Sequence, residues 1–264
     1  MDGVDEKVLS RALNRIGWGT IPPDQWRIDL EPGFLEIWDR VKPFTMTSAE
    51  RGYGLYKGVE YLHANKISGA LVECGVWKGG SCMLMALSFM ARGEMDRLLY
   101  LYDTFTGMTE PTDEDVIAWN NLSVSRKMAE EKRAGRDSFG SWAVGFEDVR
   151  QNILSIGYPE ERLCMISGDV EKTLKTDPFN QEIPEKIALL RLDTDWYEST
   201  KAELEILYPK LVPGGILVID DYGHFKGARR AVDEYFEGLP AGARPFLSRL
   251  DYTGRMAVKP GPLE

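Results

Sequence analysis

Histidine and cysteine are scarce in this chain. Its 264 residues include two histidines, His63 and His224, and three cysteines, Cys74, Cys82 and Cys164. With so few soft ligands, so widely spaced, no zinc cluster of the usual pattern can be written. An odd, small cysteine count in a chain this long is no disulfide framework. Cys74 and Cys82 fall in or beside apolar runs and read as small buried hydrophobes. Positive charge is also in deficit: 32 Lys and Arg against 42 Asp and Glu leave a net charge of −10. Nucleic-acid binding leans on clustered Lys and Arg, so nucleic acid is not the expected partner, and an anionic membrane surface is disfavoured. A neutral small molecule or a cation suits this balance better. No apolar stretch approaches the roughly eighteen residues of a membrane span. The opening "MDGVDEKVLS" is acidic and has no apolar core, unlike a secretory leader. The expectation is a soluble, cytoplasmic protein.

Hydrophobic residues make up 43% of the chain, ample for a sizeable core. "IPPDQW" breaks any early helix, and "GFLEIWDRVKPF" reads as a short amphipathic helix stopped by Pro43. In "TMTSAERGYGLYKGVEYLHANK", Thr47 and Glu50 have capping-box spacing, and Leu55, Val59 and Leu62 follow at helical intervals, predicting a helix over 48–66. From there the pattern alternates. "GALVEC", "RLLYLYD", "RLCMIS", "KIALLRLD" and "GGILVID" read as buried strands, with helical stretches such as "GGSCMLMALSFMAR", "FEDVRQNILSIG", "YESTKAELEILYPKL" and "KGARRAVDEYFEGL" between them. Continuous apolar strands alternating with helices predict an α/β fold: a parallel sheet covered on both faces. The tail, "RPFLSRL" then "YTGRMAVKP", predicts an antiparallel hairpin closing one edge. The expected division is an N-terminal helical extension over 1–66 and an α/β domain over 67–264. The polar stretch 107–141 is expected to be a mobile lid.

The strands end in acids. Asp193 and Asp195 close one apolar run with only Thr194 between them, Asp220 and Asp221 close another, and Asp103 ends a third. Ligands of open parallel sheets bind outside the carboxyl ends of the strands. The turn "VECGVWKGGS" leaves the first strand at that same end. Its glycines, Gly75, Gly79 and Gly80, permit a tight turn and close approach of a ligand, and the following helix offers unpaired N–H groups. The spacing is neither the dinucleotide G-x-G-x-x-G nor a P-loop. Asp103 is placed to hold a ribose diol. Glu73 is placed to receive an ammonium or orient the turn, and Asp169 in "SGDVEKT" to meet an adenine edge. A cationic nucleoside without phosphate fits such a site, and S-adenosylmethionine is that molecule. The bland alternatives stay open: the glycines can simply shape a packed turn, and Asp103 and Asp169 can be caps.

Several carboxylates facing one another repel unless a proton or cation lies between them. Asp193, Asp220 and Asp221 form an all-oxygen set suited to Mg²⁺, with Mn²⁺ as the alternative. Asp195 is then left over as a general base, and His224 is its rival. His63, on a helix away from the strand ends, reads as structural.

The motifs "ECGVWKGGS", "YDTFTGM", "RLDTDWYEST" and "GGILVIDDYGH" resemble the macrocin O-methyltransferase family, over about 47–258. The resemblance implies a Rossmann-like class I methyltransferase fold with a mostly parallel seven-stranded sheet. It implies S-adenosylmethionine and Mg²⁺ as cofactors, and methylation of a deoxysugar hydroxyl in antibiotic biosynthesis. It makes Asp193, Asp220 and Asp221 metal ligands and Asp195 the base. It lines the cofactor with Glu73, Gly75, Val76, Trp77, Gly79, Ser81, Asp103 and Asp193, joined by Thr104, Gly168 and Asp169. Thr47, Ser48 and Arg51, at the helix start "TSAERGY", close over it. A metal-dependent enzyme for a catechol-like diol would look the same outside the acceptor pocket, where Phe105, Trp142 and Trp196 are the expected stacking rings. A non-catalytic binding protein on this fold is disfavoured by the retained base. The acceptor is a small glycosylated or diol molecule, and a homodimer or larger assembly is expected.

Overall fold

A computed structural model describes residues 31–136, 142–175 and 183–261. The expectations for 1–30, and for the end of the polar stretch at 137–141, lie outside these residues. Two helices come first, α1 (Pro32–Val41) and α2 (Ala49–Ala64), linked through a short 3₁₀ turn at Lys42–Phe44. The α/β alternation follows: β1 (Ala70–Cys74), α3 (Gly80–Met90), β2 (Leu99–Asp103), α4 (Val124–Arg133), α5 (Phe146–Leu154), β3 (Leu163–Ser167), α6 (Val170–Thr173), β4 (Ile187–Leu192), α7 (Tyr197–Ile206), β5 (Leu211–Ile219) and α8 (Lys226–Glu237). The chain then forms β6 (Ser248–Arg249) and β7 (Arg255–Val258). The seven strands make one sheet in the order β3-β2-β1-β4-β5-β7-β6. β1 to β5 run parallel, and β7 is antiparallel to both β5 and β6.

Both faces are buried, as the unbroken apolar strands require. Leu71, Leu101, Leu189 and Val218 face α1, α2, α3 and α5 in one core. Val72, Tyr102, Leu190 and Ile219 face α6, α7 and α8 in the other. The N-terminal helices are thus part of the first core: Phe34, Val41, Leu55 and Leu62 are buried in it with the sheet. No described helix is long and apolar enough to cross a membrane.

One expectation needs correction. Helix α2 is capped by Ser48, not by a box of Thr47 with Glu50: the Ser48 hydroxyl accepts from the Arg51 N–H at 3.1 Å. The frame is one residue later because Ser48, too, stands three positions before a free N–H. The described part of 107–141 is folded. It contains α4, and Ile117, Val124 and Met128 pack with Trp196, Phe225 and Ala228 in a third, smaller core. Asp115 secures it, accepting from the Thr112 N–H at 2.7 Å and the Tyr197 N–H at 2.8 Å. Isolated bridges join Val116 to Ser123 and Ile117 to Phe225. Few apolar residues carry this packing, so the sequence shows mostly its charge.

Candidate active site

Parallel pairing delivers the acids to one place. β1 pairs with β4 so that Cys74 lies beside Leu192, and β4 with β5 so that Leu192 lies beside Ile219. The next residues, Gly75, Asp193 and Asp220, therefore leave the sheet side by side. The ladder runs on past the strand ends: the Asp193 N–H donates to the Cys74 carbonyl at 2.8 Å, and the Asp220 N–H to that of Leu192 at 2.9 Å. The sequence-expected cofactor, metal and catalytic residues other than Ser48, Gly79 and the turn glycine Gly80 line a single cavity of about 260 Å³ at this end of the sheet. Ser48 instead caps α2 and donates to Asp251 Oδ2 at 2.7 Å. Gly79 is the left-handed N-cap of α3 (φ 88°), backed by Ile153 and Val149.

At the first end of the cavity, the β1–α3 turn passes through Gly75 (φ 80°) and Trp77 (φ 49°). A Cβ on Gly75 would stand 1.9 Å from the Asp193 carbonyl oxygen, so this glycine is required by the chain's own packing against the acidic turn. Asp103 is busy: its Oδ2 accepts from the Val76 and Trp77 N–H groups at 2.7 and 3.2 Å, and its Oδ1 from Phe105 at 2.7 Å. The Thr104 hydroxyl reaches the same Oδ1 at 3.5 Å, so a ribose hydroxyl at Asp103 would have to compete with this long contact for the last of its roughly four lone-pair positions. Asp169 caps α6 and accepts from the Glu171 N–H at 3.0 Å, the role weighed against adenine contact above. Two polar atoms of the lining residues, Thr47 Oγ1 and Trp77 Nε1, are buried without a hydrogen-bond partner among the described residues. Buried donors and acceptors are almost always satisfied, so this end fits a polar ligand such as the nucleoside inferred from the sequence.

At the other end, Asp193, Asp220 and Asp221 offer oxygens that all lie within 4.8 Å of one another. Asp195, at φ 68°, stands beside them. Burial, and then the neighbouring acids, push Asp195 and Asp221 well above the usual carboxylate range, and the two are hydrogen-bonded. Asp220 is pushed up to about 6 by burial against the opposing pull of Arg191. The three hard oxygen donors of Asp193, Asp220 and Asp221, gathered where they would otherwise repel, fit Mg²⁺ or Mn²⁺.

Arg191, which the sequence hides inside an apolar strand, lies beneath this cluster at 3% exposure. Its guanidinium donates to Asp193 Oδ2 at 2.7 Å and also contacts Asp220 and Glu73. Glu73 is 1% exposed and held by Arg191 and Cys82, so the structure gives it the orienting role rather than a free carboxylate for an ammonium. Arg51 reaches Asp220 from α2 and donates to Asp251 Oδ2 at 2.9 Å. Asp251 and Arg191 gave no motif in the sequence. The alternation that places Glu73, Arg191 and Asp193 on one face was the available signal for Arg191.

His224 lines the cavity with its Nδ1 3.0 Å from the Tyr252 hydroxyl, and burial followed by Arg51 lowers its pKa. His63 pairs with Glu94 at the opposite end of the sheet. Of the rings expected to stack on an acceptor, Trp142 lines the cavity. Phe105 and Trp196 are buried, packed on Phe146 and Phe225 at 5.0 and 5.1 Å, and cannot serve.

The family model of the macrocin-O-methyltransferases (TylF) matches residues 38–254. The demethyldecarbamoylnovobiocin O-methyltransferase of Streptomyces niveus is 36% identical over 191 residues, 72% of this chain and 67% of that one. A Streptomyces olivaceus enzyme, the 8-demethyl-8-(2,3-dimethoxy-alpha-L-rhamnosyl)-tetracenomycin-C 4'-O-methyltransferase, is 34% identical over 86% of this chain and 79% of its own. Among solved structures, the O-methyltransferase NovP superposes with a TM-score of 0.68 at 32% identity, covering 83% of each chain. The strand order, the acid-ended strands and these matches together show that the chain belongs to the macrocin-O-methyltransferase family and is an O-methyltransferase.

Proposed function

We propose that this enzyme transfers a methyl group from S-adenosylmethionine to a hydroxyl of a deoxysugar on a natural product, with Mg²⁺ held by Asp193, Asp220 and Asp221. The observation that carries the reading is the acidic triad at one end of a cavity whose other end is the glycine turn. The tetracenomycin relative, whose name places its methylation beside a rhamnosyl group, supports a sugar acceptor. The cofactor supplies an activated methyl group, and the cation supplies Lewis acidity at the acceptor hydroxyl. The turn from Gly75 to Trp77, Asp103 and Asp169 hold the nucleoside from the β1, β2 and β3 ends. The Asp193–Asp195 turn abuts Gly75, so the protein aligns acceptor oxygen and methyl group along one short cavity, where holding them in line is a large part of catalysis.

Asp195 takes the acceptor proton. Burial and the Asp193 charge make it a stronger base than an exposed carboxylate. His224 is less suited, since its Nδ1 is engaged by Tyr252.

Calorimetric titration with S-adenosylhomocysteine and with Mn²⁺ tests this reading. Asp193→Asn should lose the cation site and turnover while keeping nucleoside affinity; full activity of that variant in chelator would remove the metal from the reading. Asp195→Asn should keep the cation and lose at least about a hundredfold in kcat, the usual range for a general base. An unchanged rate would transfer the role to His224.

A further inference from the structure

The Asp193–Thr194–Asp195 turn is gripped from both faces of the sheet. Arg191 holds Asp193 from the first face. From the second, the Thr194 hydroxyl donates to Glu203 Oε1 on α7 at 2.9 Å. The Thr194 carbonyl is also taken, by the Trp196 N–H at 2.8 Å and the Ser199 hydroxyl at 3.3 Å. Asp195 adopts φ 68°, a region that a residue with a Cβ enters at a cost, so contacts around it must hold it there. Glu203 is fully buried, its Oε2 has no hydrogen-bond partner among the described residues, and the chemistry above does not use it. An apolar residue would fill this helix position without desolvating a carboxyl, so stability does not explain it.

We propose that Glu203 is a positioning residue: by accepting from Thr194 it sets the turn so that Asp193 faces the cation and Asp195 the acceptor hydroxyl. The proposal rests on the metal-dependent reading above. Burial, then the charges of Asp193 and Asp195, raise Glu203 to about 8, so near neutral pH it accepts the hydrogen bond without adding charge to the cluster. Glutamine offers the same acceptor at the same reach.

Mn²⁺ affinity, read by electron paramagnetic resonance on the whole chain, tests this without any acceptor. S-adenosylhomocysteine affinity and a thermal melt serve as controls. Glu203→Leu and Thr194→Val should each weaken Mn²⁺ binding about tenfold, the low end for residues that orient metal ligands. The double variant should be no worse than either single one, because both remove one contact. Glu203→Gln should stay within about twofold of the parent, and all variants should keep nucleoside affinity. If Glu203→Leu fails to fold, Thr194→Val and Glu203→Gln still decide the matter. Unchanged Mn²⁺ affinity in folded Thr194→Val, or a Glu203→Gln variant as impaired as Glu203→Leu, would overturn the proposal. Absence of Mn²⁺ binding in the parent, with S-adenosylhomocysteine still bound, would overturn the metal reading and this proposal with it. Loss of nucleoside binding in the parent would instead strike at the methyl-transfer reading.

Discussion

Arg191 and Glu203 are two answers to one electrostatic problem. Crowding carboxylates at strand ends costs repulsion, and charge can be balanced by a guanidinium or avoided by keeping a proton. Arg191 does the first, touching Glu73, Asp193 and Asp220 from inside the sheet. Glu203 does the second, and a dependence of stability on pH follows. In the unfolded chain a glutamate titrates near 4.5, whereas buried Glu203 titrates at about 8. The folded state keeps a proton that the unfolded state has lost between these values. The stability from the neutral group is therefore complete below about pH 4.5 and is lost as the pH rises towards 8. Glu203→Gln has no such loss. Its stability should match the parent at pH 4.5 and exceed it at pH 8.5, by a margin of up to a few kcal/mol that appears as a higher melting temperature. Parallel melts at the two pH values measure this, and a margin that does not grow with pH would refute the raised ionisation.

The elements that matter most are turns, because the strands end where the chemistry begins. Gly75 shows how tightly two turns share the space: its φ is 80°, and a Cβ would overlap the Asp193 carbonyl. Both the left-handed backbone and the clash penalise Gly75→Ala, which should lose at least about 3 kcal/mol in urea unfolding. It should also lose Mn²⁺ binding, since the only relief is to move Asp193. By contrast, Gly93→Ala, at the same φ of 80° but with nothing within 4 Å of the added Cβ, should cost about 1 kcal/mol. Urea midpoints for the two variants separate steric conflict from backbone strain. The segment from Thr104 to Arg136 makes a related point. Its helix α4 is highly charged, yet Val124 at its first turn is fully buried and anchors it in the third core.

Over the whole molecule, the site sits where the strand order reverses, between β1 and β4. Strands on either side of that point feed helices to opposite faces, which leaves a crevice at their carboxyl ends. The segment from Phe44 to Thr47 that leads into α2 closes one side of it, and Arg51 of α2 reaches the triad itself. Because Phe34, Val41, Leu55 and Leu62 share a core with Leu71 and Leu189, helices α1 and α2 and the sheet should unfold together. Calorimetry should show a single transition, and a chain beginning at residue 67 should lack cooperative unfolding because it bares the first face of the sheet. A separate, lower transition for the N-terminal helices in the intact chain would contradict this.

Several features were legible in the residues alone. The short apolar strands, each bounded by helical patterns, specify a parallel sheet, and the acids closing them mark the end that holds the cavity. Those are local signals: side-chain period, caps and glycine turns. The gathering of Asp193, Asp220 and Asp221 was legible too, because these acids close runs that are otherwise apolar. What the residues could not show depends on register and on neighbours distant in sequence. Arg191 reads as one polar residue in a strand until β1 and β5 bring Glu73 and Asp220 against it. Glu203 reads as part of a charged helix until α7 turns it under Thr194. Phe105 and Trp196 read as rings for an acceptor until packing takes them into the core. Only the tertiary structure decides which polar groups are buried together, because desolvation and pairing are properties of the assembled interior and not of the chain.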